Sequence, residues 1–252
     1  MRKWMPDIQE RCRFAAAAAL DLIFPPRCPL CDGLLQKGEH GICARCGKTL
    51  PYVTEPYCMK CGKALEEENS DLCPDCRRIA HAFVRCRSVF VYEDRMKSAM
   101  YRLKYGGRKE YAQALAKLSA EYLGDWIRQV NPDAVVSVPL HKSRMRKRGY
   151  NQAALFAKAL SKRLGLVCRE DLVMRVKKTL PQKNLSRSER QKNLKKAFKI
   201  RQNDVKLDTV LLVDDIYTTG STMDALAETF SQAGVKSVYC LTICTGRVRR
   251  SL

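Results

Sequence analysis

The segment VLLVDDIYTTGSTM, residues 210–223, joins an apolar run to two carboxylates and then to hydroxyls grouped around one glycine. The apolar run predicts a buried strand, and the residues after it predict a turn into a helix. Backbone N–H groups at a helix N-terminus, with hydroxyls and a glycine that permits close approach, form a cradle for a phosphate. Asp214 and Asp215 can accept hydrogen bonds from sugar hydroxyls or hold water on a magnesium ion. The segment therefore predicts a site for a sugar phosphate such as ribose 5-phosphate.

A simpler alternative is a helix cap, in which an aspartate and the following Thr and Ser hydroxyls cap the helix. A cap accounts for one or two residues, whereas two carboxylates and four Thr or Ser hydroxyls lie within nine positions here. We therefore favour the sugar-phosphate site. Its candidate residues are Asp214, Asp215, Thr218, Thr219, Gly220, Ser221 and Thr222.

Eight of the thirteen cysteines form four C-x-x-C pairs, each beginning fifteen residues after the previous one. Two intervening residues let both thiolates bind one cation at about 2.3 Å, and four thiolates complete a structural zinc site. Disulfides are the alternative, but a C-x-x-C pair is a poor geometry for an internal bridge, and no clear secretion signal is present. We therefore predict two zinc ions with a role in folding. The ligands are Cys28, Cys31, Cys43, Cys46, Cys58, Cys61, Cys73 and Cys76.

The equal spacing of the pairs leaves their sharing open. Sequential sharing forms two zinc ribbons, and interleaved sharing forms a cross-brace. The short segments within the first two and the last two pairs have the length of single hairpin loops, which favours sequential ribbons.

Composition indicates a folded, strongly basic protein. Apolar residues make up 46% of the 252, which excludes a disordered chain, and no apolar segment is long enough to span a membrane. The net charge of +21 favours a polyanionic partner, with a solvated basic surface as the alternative. The N-terminus has the basic-then-apolar order of a signal peptide, but acidic residues interrupt it. We interpret it as an amphipathic helix that ends at Pro25-Pro26, in a cytoplasmic protein.

Strand-like and helix-like segments alternate after the last cysteine pair, which predicts an α/β fold whose parallel sheet has helices on both faces. Ligands of such sheets bind beyond the carboxyl ends of the strands, here after Val138 and after Val213. The predicted strands are 134–140, 209–215 and 236–244, with a strand or hairpin arm at 83–94. The predicted helices are 96–105, 110–130, 151–164 and 222–233.

The segment VLLVDDIYTTGST resembles the phosphoribosyl pyrophosphate signature of type I phosphoribosyltransferases, and the whole chain resembles the ComF family of competence proteins. VPLHKSRMRKRGYNQA (138–153) and TLPQKNLSRSERQKNLKKAF (179–198) match two further segments of that family, and the cysteine pairs match its double zinc ribbon. The resemblance implies a helix over 1–27, a double zinc ribbon over 28–80 and a type I phosphoribosyltransferase-like domain over 81–252.

The resemblance also implies roles for individual residues. Asp214 and Asp215 would hold the ribose hydroxyls, and residues 218–222 would surround the 5-phosphate of phosphoribosyl pyrophosphate bound with Mg²⁺. The loop at 139–144 would contact the pyrophosphate, and residues 179–193 would form a mobile loop that closes over the reactants. Further candidates for the pyrophosphate and the loops are Lys142, Arg144, Arg148, Lys104, Thr179 and Gln182. Catalytic residues stay unassigned.

Three functions remain open at this point. The first is a phosphoribosyltransferase-like protein acting in DNA uptake, natural transformation or DNA processing. The second is a non-catalytic module that binds single-stranded DNA or a partner such as a competence helicase, and the third is nucleobase salvage. No segment marks a pocket for an acceptor base, and we expect the ribbons and residues 83–108 in the place of the hood that recognises the base. Candidates for base stacking are Tyr52, Tyr57, Tyr101, Tyr105 and Tyr150.

Overall fold

A computed structural model describes residues 25–66, 70–176, 197–201 and 206–248. The expected helix over 1–27 lies outside these residues apart from 25–27, and the expected mobile loop over 179–193 lies outside them entirely. Among the described helices, none combines the length and the apolar character that a membrane crossing requires.

A four-stranded parallel sheet forms the centre of the fold. Its strands are β1 (Arg85–Val91), β2 (Ala134–Ser137), β5 (Thr209–Tyr217) and β6 (Ser237–Thr245), and a short antiparallel pair consists of β3 (Val173–Arg175) and β4 (Phe198–Ile200). The order across the sheet is β1-β6-β5-β2. The two strands that come last in the sequence therefore lie in the middle, where both of their edges are paired.

Helices cover both faces of the sheet, as predicted. They are α1 (Ala44–Gly47), α2 (Pro74–Arg78), α3 (Asp94–Tyr105), α4 (Tyr111–Val130), α5 (Lys142–Arg148), α6 (Gln152–Leu164) and α7 (Ser221–Gln232). Alternate residues of β5 point to opposite faces. Leu211 and Val213 pack in the core that α3, α4 and α6 form, whereas Val210 and Leu212 pack in the core that includes α7. This arrangement confirms the parallel α/β prediction.

The four predicted helices of the α/β region are confirmed to within two residues, and one predicted strand is too long. The prediction placed residues 134–140 in a strand, but β2 ends at Ser137. Pro139 has no N–H to donate to the neighbouring strand, so the ladder stops after Val138 donates to the Val213 carbonyl at 2.8 Å. The strand predicted at 209–215 instead extends to Tyr217, because β6 continues to pair with it.

The prediction of a strand or hairpin arm at 83–94 is confirmed as a strand. Residues 85–91 form an edge strand of the main sheet, parallel to β6, so the hairpin alternative is wrong. The alternation in the sequence comes from Arg85 and Arg87 at the start of the strand, whereas Val89, Phe90 and Val91 are all buried.

The cysteine-rich segment packs along the free edge of β1. Val53 donates a backbone hydrogen bond to Val89 at 2.9 Å, and Cys86 donates one to Lys60 at 2.8 Å. The first two cysteine pairs share a core with α3 and α4, and the last two share the opposite core with α7. The segment thus covers an edge that would otherwise expose unpaired backbone groups.

Candidate functional site

The site lies where β5 continues beyond the end of β2. Ser137 pairs with Val213, so from Asp214 to Tyr217 the strand is paired only with β6. Asp214 and Asp215 therefore lie at the carboxyl end of the sheet, where β5 has no neighbouring strand on its β2 side among the described residues. This is the position at which parallel α/β sheets bind ligands.

Asp215 is held in place from two sides. Its carboxylate is 7% exposed, accepts a hydrogen bond from Lys104 Nζ at 3.0 Å and accepts another from the Gln152 amide. Burial alone would lower the pKa of Lys104, but the Asp215 charge and hydrogen bond outweigh it, so the pKa is raised and the ammonium stays charged. The buried carboxylate is thus paired and fixed in orientation.

Asp214 carries a strongly perturbed carboxylate. Burial and the neighbouring Asp215 charge raise the pKa of Asp214 to about 7, against a hydrogen bond from the Asp215 N–H and the charges of Lys104 and Arg175. Near neutral pH the two aspartates therefore share less than two full negative charges. A ligand that brings a cation or hydroxyl donors would favour the fully ionised pair.

Residues 218–220 connect β5 to α7 and leave the start of the helix without a side-chain cap. The cap residue is Gly220, with φ of +79°, and no side chain bonds to the cap position. Thr219 Oγ1 and Ser221 Oγ lie 3.0 Å apart at the same turn. The cap position thus holds a glycine and not an aspartate, so the predicted aspartate cap is not formed, and the backbone N–H groups of the first turn lie at the start of a helix, where anions bind.

His81, which follows the last cysteine pair in the sequence, packs against the loop at 218–220. His81 Nδ1 lies 2.9 Å from Asp224 Oδ2, in the first turn of α7, and its side chain is 1% exposed. A Cβ added at Gly220 would lie 2.9 Å from His81 Cε1 and 2.4 Å from Tyr217 Oη. Only glycine fits here, so the segment after the last cysteine pair and the loop are packed as one unit.

The basic residues at 142–148 form a short helix instead of part of the predicted loop at 139–144. Lysine, arginine and methionine favour helices, and His141 Nδ1 caps the helix by accepting a hydrogen bond from the Ser143 N–H at 3.2 Å. Lys142 is exposed and Arg144 is half-buried. Arg148 donates to the Gln152 side chain, which in turn donates to Asp215.

Arg175 on β3 is a buried arginine that sequence reasoning missed. Burial, followed by the Arg144 charge, lowers the pKa of Arg175, whereas the Asp214 charge raises it. Gln152 and the His81–Asp224 pair were also missed. The only sequence signal was the position of Gln152 in the family-like segment 138–153. Thr179 and Gln182 lie outside the described residues.

The cysteines assemble into two separate tetrads, Cys28/Cys31/Cys43/Cys46 and Cys58/Cys61/Cys73/Cys76, so sharing is sequential and the cross-brace alternative is wrong. Within each tetrad all four sulfur atoms lie within 4.8 Å of one another. The closest approaches between hairpins are 3.7 Å in the first tetrad and 3.6 Å in the second. A tetrahedral zinc with bonds of about 2.3 Å separates its sulfurs by about 3.8 Å, so both tetrads fit zinc.

Family models match both parts of the chain. A double zinc ribbon domain matches residues 19–77, and a phosphoribosyl transferase domain matches residues 107–252. With the two cysteine tetrads and the parallel sheet, these matches define a zinc-ribbon protein with a phosphoribosyltransferase-like domain.

Relatives narrow the class further. Competence protein F of Haemophilus influenzae is 31% identical over 84% of this chain and 93% of its own length. DNA utilization protein YhgH of Escherichia coli K12 is 32% identical over 88% and 98%. Competence protein ComFC of Streptococcus pneumoniae is 30% identical over 62% and 66%. The chain belongs to the ComF family of competence and DNA utilization proteins. A solved hypoxanthine phosphoribosyltransferase from Staphylococcus aureus aligns at 19% identity over 57% of this chain and 70% of its own, with a TM-score of 0.32.

Proposed function

We propose that this protein binds phosphoribosyl pyrophosphate together with Mg²⁺ and acts as a phosphoribosyltransferase-like protein in DNA uptake or processing. The observation that carries the proposal is that two adjacent carboxylates lie at the same strand end as a helix start whose cap residue is glycine. The names of the relatives, which refer to competence and DNA utilization, support the cellular context. We also propose a cytoplasmic location and a competence helicase as a candidate partner.

Each end of the ligand has matching chemistry. The ribose hydroxyls would donate to Asp214 and to Asp215, and Lys104 and Gln152 hold the Asp215 carboxylate in place. The 5-phosphate would accept hydrogen bonds from the backbone of residues 218–222 at the start of α7, where the helix dipole also favours an anion.

The pyrophosphate end would meet positive charge. Lys142 and Arg144 lie after the end of β2, and the charges of Arg144 and Asp214 both act on the pKa of Arg175. Two carboxylates are too few ligands to enclose Mg²⁺, so the ion would also take oxygens from the bound phosphates and water. Bound in this way, Mg²⁺ would neutralise charge on the departing pyrophosphate.

Transfer would break the bond between the anomeric carbon and the pyrophosphate oxygen. Positive charge would develop on the ribose ring, as at other glycosidic centres, and the adjacent carboxylates would stabilise it. The closing loop implied for residues 179–193, with Thr179 and Gln182 among its candidates, would exclude the water that otherwise competes with the acceptor.

A second candidate function is a non-catalytic module that binds single-stranded DNA. The observation in its favour is α5, which has five basic residues in seven and no buried residue. Both functions are compatible with one chain, because the exposed Arg146 and Lys147 of α5 have no role in the proposed phosphoribosyl site. Nucleobase salvage is disfavoured, since no segment of the sequence marks a pocket for an acceptor base and the chain carries a double zinc ribbon.

Thermal unfolding with and without Mg²⁺ and phosphoribosyl pyrophosphate tests the proposal. At a hundredfold excess over Kd a bound ligand adds about 2.7 kcal/mol, which raises Tm by about 5–10 °C. The shift should appear in the wild type and disappear in an Asp214→Asn/Asp215→Asn double variant that remains folded. The absence of a shift in the wild type would reject phosphoribosyl pyrophosphate as the ligand.

A further inference from the structure

Two tyrosines project from α3 beside the site and form an exposed aromatic surface. Tyr101 is 65% exposed and Tyr105 is 61% exposed, although both side chains are large and partly apolar. They are one helical turn apart, and their ring centroids lie 5.3 Å from each other at an angle of 50°. Single exposed aromatic residues are common, but an adjacent pair with free faces is a recognition feature.

A guanidinium extends this aromatic surface toward the site. The Arg148 guanidinium lies 5.0 Å from the centroid of the Tyr105 ring, within the range of a cation–π contact. Arg148 also donates to Gln152, and Gln152 donates to Asp215. Arg148 and Gln152 therefore link the Tyr105 ring to Asp215, the aspartate that we assign to the ribose.

The residue next to Tyr105 reaches the same site from the same helix. Lys104 Nζ donates a hydrogen bond to the Asp215 carboxylate at 3.0 Å. This contact holds α3 at the site, one residue before Tyr105. The other stacking candidates are less exposed than Tyr101 and Tyr105, or have a ring or a cation packed closely against them. Tyr150 is 8% exposed, Tyr52 stacks on Phe90 at 5.1 Å, and Tyr57 is covered by a guanidinium at 3.9 Å.

We propose that Tyr101, Tyr105 and Arg148 form a stacking surface for an unpaired base of a single-stranded polynucleotide, whose phosphates follow α5. Flat aromatic faces bind any base, and Arg148 adds a planar cation to the stack. The exposed basic residues of α5, among them Lys142, Arg146 and Lys147, supply the charge that a phosphate backbone needs and that a free base does not. The surface therefore fits a polynucleotide better than a nucleobase.

The surface selects single strands for a physical reason. Bases within a duplex are stacked on each other, so their faces are not available to a protein ring. A stacked base would lie beside the ribose site, where it would be an acceptor candidate; that part of the inference rests on the proposed function. Stacking by itself does not depend on it.

The test is the affinity of the full chain for a single-stranded dT12 oligonucleotide, measured by fluorescence anisotropy at several salt concentrations. Base–aromatic stacking amounts to about 5–150-fold in affinity per base. We expect a Tyr101→Ala/Tyr105→Ala variant to bind at least about tenfold more weakly, with an unchanged salt dependence because no charge is lost. A Tyr101→Phe/Tyr105→Phe variant keeps both rings and should bind like the wild type.

A matched pair of variants separates stacking from charge. Arg146→Ala/Lys147→Ala should reduce the salt slope by about 0.7 per lost phosphate contact and leave stacking in place. Stacking is then read from the quenching of a 2-aminopurine base in the oligonucleotide, which the tyrosine-to-alanine variant should lose. Because both tyrosines are exposed, their replacement should leave the unfolding transition unchanged.

Three results would overturn the inference. They are equal affinity of the wild type and the tyrosine-to-alanine variant, equal affinity for a duplex of the same sequence, and binding of free nucleotides with no gain for the oligonucleotide. The Asp214→Asn/Asp215→Asn variant distinguishes this inference from the proposed function. If the stacking surface is real, that variant binds dT12 normally even when no binding of phosphoribosyl pyrophosphate is found.

Discussion

Replacing Gly220 by alanine tests how closely the phosphate loop is packed against the segment that follows the cysteines. Gly220 has φ of +79° and ψ of −8°, and a Cβ there would overlap Tyr217 Oη and His81 Cε1. Both of these residues are buried, with Tyr217 3% exposed and His81 8% exposed. Gly149 is a matched control, with φ of +78° and ψ of −10°, and a Cβ there meets nothing within 4 Å.

The backbone cost is common to both substitutions and the steric cost is not. Alanine in the left-handed conformation costs about 1–2 kcal/mol, which is our expected loss of unfolding free energy for Gly149→Ala. Overpacking adds about 1–3 kcal/mol, so we expect Gly220→Ala to lose about 2–5 kcal/mol in total. At about 2–4 °C per kcal/mol, Tm of the two variants should differ by about 2–12 °C.

Urea unfolding followed by circular dichroism, together with thermal scans, measures both free energies. The m-values of the variants should match that of the wild type, which would show that the native state keeps its compactness. Equal losses in the two variants would mean that the loop moves away from His81 and Tyr217 at little cost. That result would refute the close packing of the loop against the His81 segment.

Three further predictions concern zinc, pH and a buried amide. Removal of zinc by a chelator should lower Tm of the whole chain, because one cysteine tetrad packs in each of the two main cores. Adding Zn²⁺ should restore Tm and adding Mg²⁺ should not. An unchanged unfolding transition of the sheet would contradict this prediction. Burial and the Asp215 charge raise the pKa of Asp214 from 3.8 to about 7, so the folded state binds the extra proton between these values. The free energy of unfolding should therefore fall as pH rises from about 4 to about 7. Measured by urea unfolding, this fall should be weaker in Asp214→Asn. Parallel pH profiles of the variant and the wild type would contradict the prediction. Gln152→Leu should lower the free energy of unfolding in urea by about 1–3 kcal/mol, because it leaves a buried oxygen of the Asp215 carboxylate unpaired. Gln113→Leu, at an exposed position of α4, is the control and should lower it little. Similar losses in the two variants would disprove the role of the amide.

The sequence was sufficient to predict the central elements because their patterns are local. The run 209–215 and its flanking helices have the apolar periodicity of a covered parallel sheet, and the four C-x-x-C pairs repeat at a fixed interval. The aspartates and the hydroxyl loop of the candidate site are likewise contiguous. Features of this kind need no knowledge of tertiary contacts.

The partners of these residues could not be predicted because they come from distant parts of the chain. Lys104 and Asp215 are 111 positions apart, and His81 and Asp224 are 143 apart. The choice between a strand and a hairpin arm at 83–94 stayed open for the same reason, since the alternating pattern did not indicate that the second half of the segment is buried on both faces. Only the assembled sheet reveals which charged residues meet.

The structure of this chain bound to phosphoribosyl pyrophosphate and Mg²⁺, determined by crystallography, tests the central claim most directly. The account predicts the ribose hydroxyls on Asp214 and Asp215 and the 5-phosphate on the backbone of residues 218–222. It also predicts that Lys104 keeps its contact with Asp215. Density for the ligand at another place, or none at saturating concentration, would contradict the assignment of this strand end as the phosphoribosyl site.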